Sequence, residues 1–140
     1  MAIAMDAEAL ARFLEEAFPQ VAEDYVIEEV SEMALRVRLA VAERHLRPGG
    51  TVSGPAMFSL ADVAVYLAVL AMVGPKALAV TTNCSIDFMR KPAAGQDLVA
   101  EARLLKLGRV LAVGDVMILP ADGGAAVARA TLTYSLPPER

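Results

Sequence analysis

The sequence is poor in the residues that build metal and disulfide sites: it has one cysteine and one histidine among 140 residues. That excludes an internal disulfide framework and any zinc site made of cysteines and histidines. Such sparing cysteine use fits a reduced compartment, and the expected location is cytoplasmic. Basic clusters are missing as well. Lys and Arg total 13 against 17 Asp and Glu, a formal net charge of −4, which argues against general nucleic-acid binding. Neither a Walker nor a dinucleotide-binding glycine pattern occurs; Gly108 stands alone and Gly123-Gly124 belongs to a hairpin signal. Residues 1–8 have no basic region ahead of an apolar stretch, so they do not read as a signal peptide. The chain shows no repeat, linker or low-complexity segment.

What it has in excess is hydrophobicity, 56% of residues with a mean hydropathy of +0.48. A chain of this length fits one domain, residues 1–140, that buries about two thirds of its unfolded surface. The surplus implies either a membrane or apolar surface hidden between subunits. The richest run is Pro55 to Val73, 19 residues with the single charge of Asp62. Pro just inside its start and Gly74 just past its end punctuate one long helix over 54–73. Because it is apolar around its circumference, that helix is buried. It is just long enough to span a bilayer. Against a span, Asp62 at the bilayer centre costs about 2.5–3.5 kcal/mol, and the run is padded with alanine. The soluble reading, with no membrane partner, is the one adopted. An ionised carboxylate inside a buried helix costs several kcal/mol unless it is partnered. Asp62 is therefore either a structural carboxylate capped by hydroxyls or a group kept for chemistry.

Around that helix the pattern is mostly period two. Asp6 to Phe18, within the first 20 residues, reads as an amphipathic helix with Leu10, Phe13, Leu14 and Phe18 on one face, stopped by Pro19. Tyr25 to Val30 is a weak strand. Met33, Leu35, Val37, Leu39 and Val41 form the inward set of a second, and residues 43–53 form a loop. Over 78–136 four strands follow, 78–89, 98–105, 110–119 and 127–136, divided by turn signals at 90–92, 107–109 and 122–124. Tight turns imply antiparallel pairing, and a segregated helix implies an α+β fold in which a sheet curls around the apolar helix.

The order of these phrases is familiar. A Gly-containing loop leads into a long helix carrying Leu60-Ala-Asp62, followed by Thr81-Thr-Asn-Cys-Ser-Ile-Asp-Phe-Met-Arg90, Ala100-Glu-Ala-Arg103 and Lys106-Leu-Gly-Arg109. This resembles the hotdog-fold acyl-CoA thioesterases, in their PaaI-like, phenylacetate-degradation branch, over about two thirds of the chain, Arg47 to Leu136. Ser53-Gly54-Pro55 stands where that family has His-Gly-Gly, and the interval of eight from Gly54 to Asp62 is kept. Arg47 stands at the family's Asn and Ser53 at its His.

The resemblance implies hydrolysis of an acyl-CoA thioester by a homo-oligomer, a dimer or a dimer of dimers (a homotetramer), with sites between subunits. Asp62 would be general base or nucleophile, Gly54 the oxyanion donor, and Thr81 a positioning group reaching across from the partner subunit. Arg47, Ser53, Met57, Arg90, Lys91, Lys106 and Arg109 are the expected substrate-binding residues, the basic ones for coenzyme A phosphates. Hydrolysis of this kind needs no cofactor and no metal. Read from the residues alone, Ser53 to Pro55 could equally be a plain helix cap, Thr81 and Thr82 plain strand residues, and Cys84 a small core residue. His45, two residues from Arg47, reads as surface. A non-catalytic binder of acyl-CoA or of an aromatic small molecule is the rival reading.

Overall fold

The computed structural model describes residues 2–138. Its elements in chain order are α1 (Ala7–Ala17), α2 (Pro19–Ala22), β1 (Tyr25–Ser31), β2 (Ala34–Leu39), a 3-10 turn (Glu43–His45), α3 (Gly54–Val73), β3 (Val80–Phe88), β4 (Leu98–Leu107), β5 (Leu111–Pro120) and β6 (Ala128–Ser135). The six strands form one antiparallel sheet in the order β1-β2-β4-β5-β6-β3. The chain therefore leaves β2, runs through α3, and lays β3 on the far edge before returning to the middle. This is the hotdog fold, a sheet wrapped around one central helix.

Helix α3 behaves as its composition dictates. Thirteen of its 20 residues are buried, among them Leu60, Leu67 and Leu70 at 0% exposure. It is the one segment of the described residues long and apolar enough to cross a membrane, yet most of it is already covered by protein. Small residues on the concave face of the sheet make room for it. Gly114 on β5 marks the closest approach: a Cβ there would lie 3.1 Å from the Val65 side chain and 3.3 Å from that of Leu104. At its end Gly74 takes φ +93° and its N–H closes onto the Leu70 carbonyl at 2.9 Å, a conformation that favours glycine.

Three local expectations need correction. Helix α1 is capped by Asp6, which accepts from the Ala9 N–H at 2.9 Å, and it buries Leu10 and Leu14. Phe18, however, lies beyond its end, because Pro19 cannot extend α1 and starts α2 instead. Met33 sits in the turn between β1 and β2 with φ +62°, not in the strand, its N–H directed at the Met72 sulfur at 3.3 Å. The third strand starts at Val80 rather than Leu78, whose side chain is 77% exposed.

Candidate functional site

Asp62 lies in the third turn of α3, half-buried, and faces the β3/β6 end of the sheet. The antiparallel register pairs Thr81 of β3 with Tyr134 of β6, and a bulge between Thr81 and Asn83 follows at once. Both side chains therefore point inward beside one another beneath the helix. The Thr81 hydroxyl donates to Asp62 Oδ1 at 2.5 Å, and the Tyr134 hydroxyl donates to the same oxygen at 2.7 Å. Among the described residues no donor reaches Oδ2. Burial, then the negative charge of Asp62, pushes the Tyr134 phenol far above its ordinary pKa, so it remains a proton donor to the carboxylate. The same two causes in the same order raise the Cys84 thiol. Cys84 stays protonated and packs partly buried against the core, as a small hydrophobe rather than a nucleophile.

The oxygen pair opens onto a cavity of about 510 Å³ whose walls include Phe18, Val63, Tyr66 and Val80. Tyr66 is held by a hydrogen bond from its hydroxyl to the Ala77 carbonyl at 3.1 Å. Its ring sits 6.1 Å from that of Tyr134 and 6.5 Å, edge-on, from that of Phe18. The cavity thus has a polar floor at Asp62 and an aromatic wall beside it.

The start of α3 forms a second and different site. Ser53 is its N-cap: the hydroxyl accepts from the Ala56 N–H at 3.2 Å, while its own N–H donates to the His45 carbonyl at 2.8 Å. Gly54 opens the helix, where backbone N–H groups have no partner in the helical ladder, and Pro55 has none to offer. The Phe88 ring covers Gly54, so that a Cβ there would lie 3.4 Å from it. A shallow groove of about 320 Å³ runs past Gly54, lined among others by Arg47, Met57, Phe88, Arg90 and Lys91. The Arg90 guanidinium is steadied by donating to the Ala126 carbonyl at 2.7 Å.

The expected residues thus fall into three places within one chain. Gly54, Arg47, Met57, Arg90 and Lys91 share the groove, with Ser53 capping the helix beside it. Asp62 and Thr81 share the aromatic cavity. Lys106 lies near the end of β4, and Arg109 lines another cavity with Val73, at the far end of α3 from Gly54. Gly54 and Asp62 are separated by eight residues, about 12 Å along the axis at ~1.5 Å per residue.

Two expectations change. Thr81, expected to act across a subunit boundary, reaches the Asp62 of its own chain, because β3 pairs with β6 beside α3. His45 is buried at 8% exposure: Nδ1 accepts from the Ala42 N–H at 2.8 Å and Nε2 faces an Asp24 carboxylate oxygen at 3.3 Å. With both nitrogens engaged, His45 is a brace for the turn that delivers Ser53. Tyr134 was not singled out from the sequence at all. Its signal was there: in Ala128-x-Ala130-x-Leu132-x-Tyr134 it occupies an inward position of β6, and a buried tyrosine hydroxyl needs a partner.

The hotdog fold, with one carboxylate in its central helix and two hydroxyls set on it from the sheet, has counterparts among known proteins. The sequence pattern of the "Thioesterase superfamily" matches residues 49–127, more than half the chain. The chain belongs to that superfamily, as a hotdog-fold thioesterase. It is similar to a protein of Silicibacter sp. TM1040 provisionally assigned as a thioesterase, with 56% identity, a TM-score of 0.92, and coverage of 99% of this chain and 96% of that one. It is also similar to a hypothetical thioesterase of Streptococcus pneumoniae TIGR4 solved with coenzyme A, at 25% identity and TM-score 0.77, covering 94% and 99%. The PaaI protein of the E. coli phenylacetic acid degradation operon shares the fold at 24% identity and TM-score 0.76, covering 94% and 93%. The chain spans between 53% and 72% of the length of the curated relatives it matches, which carry esterase names.

Proposed function

We propose that this protein hydrolyses an acyl- or aryl-CoA thioester in the manner of the PaaI-like branch. The observation that supports the reading is the state of Asp62: Thr81 and Tyr134 both donate to Oδ1, and among the described residues no donor holds Oδ2. Asp62 acts as base, taking a proton from water as the water oxygen bonds to the thioester carbonyl carbon, or it attacks that carbon itself to form an anhydride. The charge that develops on the carbonyl oxygen is met by the Gly54 N–H at the positive end of α3. The carbon–sulfur bond breaks and the coenzyme A thiolate leaves, taking up the proton that Asp62 removed from water. On the anhydride route the thiolate leaves first, and a water then cleaves the anhydride, freeing the acid, restoring the Asp62 carboxylate and supplying the thiol proton.

Gly54 and Asp62 of one chain stand too far apart to serve one carbonyl, so the reading requires Gly54 of one subunit to meet Asp62 of another. A homo-oligomer, dimer or dimer of dimers, in the cytoplasm belongs to the same proposal. Coenzyme A, found with the pneumococcal relative, fits the Gly54 groove, whose Arg47, Arg90 and Lys91 suit its phosphates. Lys106 and Arg109 would contribute only through a neighbouring subunit.

The test is steady-state coenzyme A release from a panel of aryl- and alkyl-CoA thioesters, wild type beside Asp62→Asn. A fall in kcat of about 10²-fold or more is expected, the range of positioned acid–base catalysis, with the fold kept because Asn preserves the oxygen that Thr81 and Tyr134 hold. Turnover indifferent to the change would remove Asp62 from the chemistry, and binding without turnover of any thioester would instead support the non-catalytic binder. One observation favours that rival: Ser53, in the family's His position, spends its hydroxyl on capping α3.

A further inference from the structure

We infer that Phe18 sets the size of the acyl group this protein accepts, and that the accepted group carries no charge. The inference rests on the thioester reading above and concerns the wall opposite the reacting carboxylate. Among the described residues that line the Asp62 cavity there is no Lys, Arg or His, and the charge present is that of Asp62 itself. An acyl group ending in a second carboxylate would meet repulsion from Asp62 and no compensating cation in this chain's own lining of the cavity. The cations of the partner's Gly54 groove are taken up by the coenzyme A phosphates, so dicarboxylic acyl groups are disfavoured.

The walls differ in how firmly they are held. Tyr66 and Tyr134 lie on α3 and β6, each with its hydroxyl tied, to Ala77 and to Asp62. Phe18 sits in the break between α1 and α2, in a conformation that is neither helical nor extended (φ −141°, ψ 55°), directly before Pro19. It leaves the helical face that buries Leu10 and Leu14 and lays its ring edge-on against Tyr66, still 37% exposed. A large ring half in solvent at a helix break contributes less to the core than a buried one would, but it closes one side of the cavity. It also lies outside the stretch that matches the superfamily, residues 49–127, so this wall is supplied by the chain's own amino-terminal segment. The aromatic edge rather than the catalytic floor then decides how long an acyl chain fits.

The experiment measures kcat/KM for acetyl-, butyryl-, octanoyl-, dodecanoyl-, phenylacetyl- and succinyl-CoA with the wild type, Phe18→Ala and Phe18→Trp. Dissociation constants for the same thioesters are measured on each of the three in an Asp62→Asn background. Phe18→Ala is expected to raise the octanoyl-to-butyryl ratio about tenfold, and Phe18→Trp to lower it, with succinyl-CoA the poorest substrate throughout. Ratios within one variant do not depend on how much of it is folded. If binding ratios shift but no variant turns over, the size filter stands and the hydrolytic reading falls. Turnover with unchanged ratios in both variants overturns the inference while leaving the hydrolase in place, as does succinyl-CoA bound or turned over as well as butyryl-CoA. Failure to bind any of the thioesters overturns both.

Discussion

The beginning of α3 and its third turn belong to one helix, yet they are opposite kinds of site. At Gly54 the groove is open, and its polar groups are backbone N–H donors together with exposed cations, Arg47, Arg90 and Lys91. At Asp62 the cavity opens to solvent past Phe18, Val63, Tyr66 and Val80, and its one charge is an anion with two hydroxyls on a single oxygen. The first arrangement suits a soluble, phosphate-bearing tail in solvent, where each cation contributes little and is screened by salt. The second suits a small apolar group beside a half-buried carboxylate, one oxygen of which is fixed by two hydrogen bonds. On the proposed reading, binding and chemistry are divided between two surfaces about 12 Å apart along α3 at ~1.5 Å per residue. A substrate bridging them would need two copies of the protein.

That division can be broken from either side. Tyr134→Phe removes one donor from Oδ1 without changing the ring that packs on Tyr66. Losing a hydrogen bond to a charged group corresponds to about 1.5–3 kcal/mol, so kcat should fall about tenfold or more while KM stays nearly constant. A rise in KM alone would place Tyr134 on the binding side. Ser53→Ala acts on the other end. Loss of the cap onto Ala56 should lower unfolding free energy by about 1 kcal/mol, read from a denaturant midpoint. The kcat of what remains folded should not change. The smallest effect is expected from Arg90→Ala and Lys91→Ala. Each should raise KM about threefold at low ionic strength and leave kcat alone, the difference fading as salt is added. If either instead lowered kcat at saturating substrate, the cationic groove would be part of the chemistry and the comparison would collapse.

Much of this was legible in the sequence because it depends on short-range chemistry. The Pro55 and Gly74 punctuation bounds α3 to within a residue, and the period-two runs reach all six strands. Asp62 stood out because a lone charge in an apolar helix is costly wherever it is placed. Other features depended on contacts distant in sequence. His45 looked like a loop residue, and only the packing of its turn against Asp24 buries it. Phe18 shares the helical spacing of Leu10 and Leu14, and the pattern does not register that Pro19 turns it out of that face toward Tyr66. Thr81 was expected, from family resemblance, to reach the site across a subunit boundary. The β3–β6 register brings it there within the chain.

By itself the sequence determined the buried helix with its stop signals, the antiparallel strand set, and the presence of one carboxylate that had to be partnered. Those follow from propensity, periodicity and the cost of burying charge, all of which act over a few residues. Tertiary structure decided the partners: which oxygen of Asp62 is held, that Tyr134 holds it with Thr81, and that the aromatic cavity and the cationic groove lie at separate places along α3. Periodicity tells which face of a strand a side chain takes. Which residue it meets there is set by strand register and by the seating of α3 on Gly114, and both are contacts between positions far apart in the chain.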